Sequence, residues 1–386
     1  MWKNLKQIFR HPQYRVIATL FAINSLLFTF WLTRIPLIKS QLGLSEGELG
    51  LILFFGPVGS LTAMFVSNWL NSRLGEGRMS IYTMLLALLA CVGPVYAPSK
   101  FWLGTSLVIM GFAGAAMNVA INAVVTILER RDRVRIMITC HGGWSLGGLI
   151  GSFVTSLLVG AGVIPWIHWL VIVAILISWT VWRAWPHIAE IRLEGERGPA
   201  LVMPTRPVVG LALIGLCIMI GEGAAADWSG VYLAEVIKTS DYFVGMGYAS
   251  FTFFMTLGRF YGDTLTARFG ALKVIRGGTA IAAIGLLLVL LPTLFTALLG
   301  FGLMGLGLSC VVPVLFSESG QVPDLNPSMG IASVASAGYI GFLGGPVLIG
   351  LLAEKFSLSL GFGFILVLIS LAFLFSPRAL VGTARG

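Results

Sequence analysis

Long apolar runs alternate with short polar segments along the whole of this chain. The runs extend over about 20 residues each, which is the length that crosses the apolar core of a bilayer as an α-helix. They lack the every-other-residue alternation that is typical of a half-buried β-strand. A helix pairs its own backbone N–H and C=O groups, as a lipid environment requires. The pattern therefore predicts an all-α membrane protein.

Twelve transmembrane helices are expected from these runs. Their predicted bounds are 15–38, 48–70, 79–96, 101–128, 136–159, 165–185, 207–233, 242–265, 274–291, 294–316, 328–353 and 358–375. The one long polar stretch, 186–206, separates the sixth span from the seventh. We therefore expect an N-terminal six-helix bundle at 1–185, a connector at 186–206 and a C-terminal six-helix bundle at 207–386.

Basic residues concentrate on one side of the predicted spans. Of the 25 Lys and Arg residues, 19 lie on the side of the N-terminus, 5 lie on the opposite side, and Arg259 alone lies within a span. Because cytoplasmic loops are enriched in Lys and Arg, both termini are predicted to be cytoplasmic. This bias accounts for the net charge of +9 without nucleic acid as a partner. Charged residues make up only 11% of the chain, against about 25% in soluble domains, so the chain cannot cover a water-facing surface.

The two halves of the chain share a sequence pattern at an offset of 195 residues. The pattern Asn/Asp-x-Leu-x-x-Arg-x-Gly occupies 68–75 after the second span and 263–270 after the eighth. The same offset places Gly-Trp at 143–144 on Gly-Tyr at 338–339. Two parallel repeats of six helices are the architecture of the major facilitator fold, which we therefore predict.

Several motifs resemble those of the major facilitator superfamily, over essentially the whole chain. They are similar to the YbjJ-like and MosC-like branch, which is related to fucose permeases. The motifs are Trp31-x-x-Arg34-x-Pro36, His141-Gly142-Gly143-Trp144, Glu222-Gly223 with Asp227-Trp228-Ser229, and Gly338-Tyr339-x-Gly341. The loop after the second span departs from the superfamily pattern, because Asn71-Ser72 replaces its acidic position. The resemblance implies transport of a small molecule by alternating access, with the solute site at the membrane midplane.

Three titratable side chains are predicted to carry protons. Glu222 lies deep within the seventh span, and an ionisable group inside a membrane is a functional candidate because it is costly to bury. Asp227 follows five residues later, about 140° further round the helix. His141 enters the fifth span, and histidine titrates in the physiological range. The alternative for Glu222 and His141 is a structural polar group that is satisfied by hydrogen bonds. For Asp227 the alternative is capping or ion pairing at the outer rim, with Arg34 or Lys238 as partner. Direct solute contact is a further alternative for both carboxylates.

Polar and aromatic positions within the spans are candidate solute contacts. On the first span, Asn24, Phe28 and Trp31 form a stripe at helical spacing, and such a mixture suits a polar ring-shaped solute. Arg34, at the end of this stripe, is also predicted to contact the solute. Aromatic packing with an interfacial arginine is the alternative. The further predicted contacts are Asn118 and Asn122 on the fourth span and the motif aromatics Trp144, Trp228 and Tyr339. The two asparagines share a face with Glu129, for which an inner gate or helix-to-helix hydrogen bonding is the alternative.

Charged residues near the cytoplasmic ends of the second and eighth spans are predicted to act in gating. They are Arg73, Arg259, Asp263 and Arg268, in the loop regions that serve as conformational latches in the superfamily which this chain resembles. No phosphate-binding Gly-Lys-Ser/Thr sequence, nucleophilic triad or metal-ligand spacing occurs. We therefore expect no enzyme activity, no cofactor and no metal site.

The sequence as a whole predicts a monomeric secondary transporter in the bacterial inner membrane. It is expected to move a small polar solute, sugar-like or cyclitol-like, with proton coupling. One alternative is a proton-antiport exporter of drugs or siderophore-like compounds. An alternative of another class is a membrane sensor or binding protein that has lost transport.

Overall fold

The computed structural model describes residues 10–134, 136–192, 204, 206–323, 325 and 327–384; the side chains of residues 68, 138, 263, 327, 328 and 381–384 are left out. Within these ranges every regular element is a helix, which confirms the predicted all-α class. Most of the predicted connector, 186–206, lies outside the described residues, and so does Arg135.

Twelve helical segments match the twelve predicted spans. Eleven of them are long and apolar enough to cross a membrane within the described part of the chain. The remaining one, the helix Met246–Phe269, carries Arg259 and Arg268 and corresponds to the predicted eighth span. We number the segments as spans 1 to 12: Pro12–Leu42, Glu46–Ser67, Glu76–Val95, Lys100–Asp132, Thr139–Gly160, Pro165–Ile188, Arg206–Val236, Met246–Phe269, Ala271–Val289, Leu294–Ser319, Met329–Lys355 and Leu358–Leu380.

Several spans consist of more than one regular helix. The α-helices run over Pro12–Leu32, Ile35–Leu42, Glu46–Leu53, Phe55–Leu74, Glu76–Ala90, Val92–Val95, Lys100–Asp132, Met137–Gly160, Pro165–Trp179, Trp185–Ile188, Val209–Val231, Met246–Phe269, Ala271–Val289, Leu294–Leu308, Val311–Ser319, Pro327–Lys355 and Leu358–Ala384. Wider π-turns occur at Thr180–Ala184 and Tyr232–Val236, and 3-10 turns at Arg206–Val208 and Asp241–Phe243. Span 1 is interrupted at Thr33-Arg34, and span 2 at Phe54.

The chain divides into two compact units. Unit 1 comprises Met1–Leu42 and Phe55–Arg197, and unit 2 comprises Gly43–Phe54 and Gly198–Gly386. The N-terminal portion of span 2 therefore groups with the second half of the chain. The bundle boundaries expected from the sequence, 1–185 and 207–386, stay a prediction.

Residues 43–54 join unit 2 through a close contact with span 11. Ser45 caps the helix that begins at Glu46, and its Oγ also donates a hydrogen bond to Oε1 of Glu354 over 2.9 Å. A Cβ on Gly50 would lie 2.6 Å from the carbonyl oxygen of Pro346. Only glycine allows the two backbones to approach so closely. The hydrogen bond and the glycine contact together hold this short helix against span 11.

Glycines bring matching pairs of spans together in both units. In unit 1, a Cβ on Gly147 of span 5 would overlap the carbonyl oxygen of Ala22 in span 1. In unit 2, a Cβ on Gly341 of span 11 would lie 2.6 Å from the carbonyl oxygen of Leu216 in span 7. Small residues of this kind are how membrane helices pack without a hydrophobic driving force. Spans 5 and 1 thus correspond to spans 11 and 7, as the sequence repeat predicts.

The turns after spans 2 and 8 have matching backbone conformations. Gly75 has φ +88° and Gly270 has φ +78°, and each stands directly before the next helix. Glycine is the residue that enters this left-handed region without strain. The last residue of the repeated pattern therefore has a conformational role in both halves.

Candidate functional site

Two predicted solute contacts, Asn24 and Trp144, meet inside unit 1. The indole Nε1 of Trp144 on span 5 donates to Oδ1 of Asn24 on span 1 over 3.3 Å. The Nδ2 of the same amide donates to the carbonyl oxygen of Gly114 on span 4 over 3.2 Å. Both side chains are half-buried. The amide therefore joins three spans while retaining an accessible edge.

Arg34 is fully enclosed within unit 1. Its two terminal nitrogens lie 2.8 Å from the carbonyl oxygen of Phe30 and 3.1 Å from Nδ1 of His168 on span 6. Its guanidinium carbon lies 4.1 Å from the centroid of the Phe30 ring, a cation–π distance. The Nε atom has no hydrogen-bond partner, and no carboxylate among the described residues pairs with this charge. Arg34 is thus a buried cation held by a carbonyl, an imidazole and a ring.

The polar face of span 4 is bound largely to backbone groups. Nδ2 of Asn122 donates to the carbonyl oxygen and to Oδ1 of Asn118, over 2.8 and 3.2 Å. Oε1 of Glu129 accepts hydrogen bonds from the backbone N–H groups of Ile136 and Met137, over 2.6 and 2.8 Å. Glu129 therefore satisfies the first N–H groups of the span 5 helix, which otherwise lack partners.

His141 packs against an aromatic side chain in unit 1. Its ring centroid lies 5.0 Å from that of Phe21 on span 1, in an edge-on arrangement. Its backbone carbonyl accepts a hydrogen bond from Ser145 Oγ over 3.3 Å. The ring is half-buried. A proton-carrying role for His141 stays a prediction.

Unit 2 brings Glu222 near Arg259. Glu222 is half-buried on span 7, and its carboxylate lies within range of charge–charge interaction with the Arg259 guanidinium on span 8. It makes no hydrogen bond to any residue that the structure describes in this unit. The side chain of Asp263, predicted to act with Arg259, lies outside the described residues. A carboxylate with a cation in range and free lone pairs is equipped to bind a proton or a solute hydroxyl.

Asp227 and Tyr248 form the second part of the polar cluster in unit 2. Asp227 is only 9% exposed, and Tyr248 on span 8 is 6% exposed. The Tyr248 side chain interacts electrostatically with Glu222, Asp227 and Arg259. Neither Asp227 nor the Tyr248 hydroxyl has a hydrogen-bond partner among the described residues of the unit. Tyr248 thus lies within range of charge–charge interaction with both carboxylates.

The remaining predicted solute contacts differ in their exposure. Trp31 is 2% exposed and Trp228 is fully buried, with no described hydrogen-bond partner for its Nε1 atom. Phe28 and Tyr339 are half-buried. Solute contact by these four aromatic residues stays a prediction.

The two predicted gating arginines at the ends of spans 2 and 8 are exposed. The guanidinium of Arg73 lies 4.9 Å from the ring centroid of Trp69, and that of Arg268 lies 5.3 Å from Phe269. The carbonyl oxygen of Arg73 also accepts a hydrogen bond from Arg192 over 3.0 Å. Arg192 therefore ties the loop after span 2 to the segment that follows span 6.

Comparison with known proteins identifies the chain. The sequence profile of the Major Facilitator Superfamily matches residues 16–236. This chain belongs to the Major Facilitator Superfamily. It is 31% identical to an uncharacterized MFS-type transporter of Yersinia pestis, with 90% of this chain and 91% of that protein covered. It is also 31% identical to the membrane protein MosC of Rhizobium meliloti, with 94% and 89% covered.

Solved structures of the superfamily share the fold. A variant of the nucleoside transporter NupG aligns over 96% of this chain and 100% of its own, with a TM-score of 0.78 and 11% identity. At that identity the match shows the fold alone. Together with the sequence relatives, it confirms the predicted major facilitator fold and the similarity to MosC. This superfamily member is a membrane transporter.

Two residues of the polar clusters did not emerge from sequence reasoning. His168, the partner of Arg34, is 134 residues away in the sequence, and nothing local marks it. Tyr248 could have been found, since it precedes Arg259 by 11 residues, three helical turns, on the same face of span 8. A tyrosine in line with an intramembrane arginine is the signal that was missed.

Proposed function

We propose that this superfamily member is a proton-coupled secondary transporter of a small polar solute in the bacterial inner membrane, working by alternating access. The supporting observation is Glu222, an intramembrane carboxylate without a hydrogen bond to a described residue of its unit. Intramembrane ionisable groups are costly and mark ion or solute pathways. Glu222 is the proposed proton carrier.

Protonation of Glu222 changes its electrostatic interaction with Arg259 in unit 2. When Glu222 is ionised, the guanidinium in range attracts it. Protonation removes the negative charge and with it this attraction. Proton binding thus changes the force between spans 7 and 8, which is the kind of change that a coupled conformational step needs.

Two side chains of unit 1 favour a polar ring-shaped solute, sugar-like or cyclitol-like. Asn24 and Trp144 place an amide and an indole side by side, each half-buried. Pockets that bind polar rings combine an aromatic surface with a few placed hydrogen-bonding groups. The pair supplies both elements in one contact.

The Glu222→Gln variant tests the coupling. Reconstituted protein is first given labelled hexoses, 6-deoxyhexoses and inositols to find a transported solute. Wild-type protein should accumulate that solute when an inward proton gradient is imposed. The variant should lose accumulation and keep counterflow exchange, because glutamine preserves the shape of the side chain but takes up no proton.

Glu235→Gln is the matched control, since Glu235 lies at the end of the same span but is exposed. It should accumulate solute as the wild type does. Gradient-driven accumulation by Glu222→Gln at the wild-type level would show that Glu222 is not the coupling residue. Everted membrane vesicles show the direction of transport. Solute uptake into these vesicles, with protons moving out as the solute moves in, identifies a proton-antiport exporter.

A further inference from the structure

Arg34 and His168 form a buried contact between spans 1 and 6 in unit 1. Nη2 of Arg34 lies 3.1 Å from Nδ1 of His168, and the two residues are 0% and 8% exposed. The Phe30 ring lies beside both groups, with its centroid 4.1 Å from the guanidinium carbon and 5.1 Å from the imidazole centroid. The hydrogen bond between Arg34 and His168 is therefore shielded from water.

This hydrogen bond exists only while Nδ1 of His168 carries no proton. A guanidinium has donors and no acceptor, whereas a neutral imidazole offers one acceptor nitrogen and an imidazolium offers none. Protonation of Nδ1 would place two donors 3.1 Å apart. It would also place two positive charges side by side in a buried position, where like charges repel more strongly than in water. The closed contact and a protonated His168 are therefore mutually exclusive.

Among the described residues, no acidic side chain compensates for a second positive charge at this contact. The charged neighbour within range of His168 is Arg34 itself. The titratable groups within range of Arg34 are the thiol of Cys91 and the hydroxyl of Tyr96. The thiol donates to the carbonyl oxygen of Leu88 over 3.1 Å, and the hydroxyl accepts from a backbone N–H of span 6 over 2.8 Å. The repulsion between the two cations thus has no carboxylate to offset it.

The contact holds the end of span 1 against the beginning of span 6. Arg34 lies at the break in span 1, directly before the second helix of that span, Ile35–Leu42. Its carbonyl oxygen accepts a hydrogen bond from the N–H of Ile38 in this helix over 3.0 Å. His168 is the fourth residue of the helix that begins span 6. The first segment of unit 2 begins at Gly43, directly after the helix Ile35–Leu42. The pair therefore fixes the last helix of unit 1 before the chain enters unit 2.

We infer that His168 is a proton-binding site whose protonation releases the second helix of span 1 from span 6. In the closed contact the imidazole accepts from Arg34, and the helix is held. A proton that passes from hydronium to Nδ1 removes the acceptor, so Arg34 loses its partner and the contact opens. No other bond changes in this step. The inference goes beyond the proposed function, since the site requires neither Glu222 nor a solute.

Nitrogen NMR of the purified full-length protein in lipid, with isotope-labelled histidine, tests the protonation state. The chemical shift of each ring nitrogen reports whether it carries a proton. The His168 signals, identified by their loss in His168→Asn, should show a bare Nδ1 and a protonated Nε2 at neutral pH. On acidification both nitrogens should become protonated. A protonated Nδ1 at neutral pH overturns the assignment, and so does an Nδ1 that stays bare down to the pH at which the protein unfolds.

Hydrogen exchange of the backbone amides in 35–42 tests the release. A histidine in an opened contact takes up a proton below about pH 6.5. Each pH unit below that value should therefore favour the open form about tenfold. Exchange in the wild type, corrected for the pH dependence of a free amide, should rise by the same factor.

His168→Asn separates protonation from other effects of acid. Its amide oxygen stands two bonds from Cβ, as Nδ1 does, so it can accept from Arg34 but does not titrate. Exchange of 35–42 in this variant should not change with pH, and the same result is expected of His168→Gln, which serves if His168→Asn does not fold. An equal pH dependence in the wild type and in the amide variant overturns the role of His168.

Two further variants show whether the response belongs to this site. His11→Gln is the matched control, because His11 is exposed and its ring lies against that of Tyr14. It should respond to pH as the wild type does, and so should Glu222→Gln. Loss of the response in Glu222→Gln would assign it to Glu222 and overturn the inference. Failure of proton-driven solute accumulation in the wild type would contradict the proposed function alone, since the exchange measurement contains no solute and no gradient.

Discussion

At the scale of single residues, the ionisable side chains within the two units differ in their hydrogen-bond partners. Arg34 is held by a carbonyl oxygen, the imidazole of His168 and an aromatic ring. A guanidinium only donates hydrogen bonds, so the Nδ1 atom of His168 must accept and carry no proton. Glu222 and Asp227 instead have unused lone pairs in the described part of unit 2. The arginine has protein partners for its terminal nitrogens, whereas the two carboxylates have no hydrogen-bond partner among the described residues of unit 2.

The His168→Leu variant should destabilise the protein by about 1–3 kcal/mol, because it removes an acceptor from a buried charged donor. The measurement is thermal or detergent-induced unfolding of the purified protein. His11→Ala is the control, since His11 is exposed and its ring lies tilted against that of Tyr14, with centroids 4.8 Å apart. If His168→Leu unfolds at the same temperature or detergent concentration as His11→Ala, or at a higher one, the hydrogen bond to Arg34 does not contribute to stability.

The candidate site was predictable only in part. The sequence shows which polar or ionisable residues lie within apolar runs, where their burial costs free energy, but it does not show which residues they contact. Glu222 was found because a carboxylate inside an apolar run is rare. Asn24 and Trp144 were both selected as candidates, but their contact over 120 residues of sequence was not predictable. For Glu129, helical periodicity did not report the local role, which is to accept hydrogen bonds from the first backbone N–H groups of the next span.

At the scale of elements, the repeat extends to the conformation of single turns. Gly75 and Gly270 both have positive φ at equivalent positions, one residue before a helix. Their surroundings differ: a Cβ on Gly75 would lie 2.8 Å from Cγ of Arg192, whereas a Cβ on Gly270 meets nothing within 4 Å. The backbone conformation is thus repeated, and the packing against it is specific to unit 1.

Alanine substitutions should separate the effect of the backbone conformation from the effect of packing against it. Gly270→Ala should cost about 1–3 kcal/mol, since its positive-φ backbone (φ +78°, ψ +160°) is essentially restricted to glycine. Gly75→Ala should cost more, because Arg192 must also move. Gly277→Ala is the control, a mid-helix glycine with open space around its Cα, where alanine should be neutral or stabilising. Melting temperatures of the three variants provide the measurement, and a Gly270→Ala cost equal to or above that of Gly75→Ala contradicts the account.

The spans themselves were predictable, because the bilayer dictates their length and composition. Predicted and observed ends agree to within about five residues, as expected when apolar composition alone sets a boundary. Interruptions within spans were not predicted. They lie within the apolar runs, so hydropathy does not mark them: the breaks at Thr33-Arg34 and Phe54, and the π-turn at Tyr232–Val236.

At the scale of the whole molecule, sequence, fold and relatives agree on a membrane transporter of the Major Facilitator Superfamily. Each half carries polar side chains within its spans. Unit 1 offers an amide and an indole, and unit 2 offers two carboxylates, a phenol and a guanidinium. The central claim, which rests on the proposed function, is that proton binding at Glu222 is coupled to movement of a small polar solute.

Proton movement driven by the solute tests this claim most directly. Wild-type protein is reconstituted in liposomes that enclose a pH-sensitive dye, without an imposed gradient, and the solute that the uptake screen identifies is added outside. The account predicts that protons move across the membrane together with the solute, and that Glu222→Gln abolishes the proton signal while exchange of labelled solute continues. Entry of solute into wild-type liposomes without any change in internal pH would contradict it.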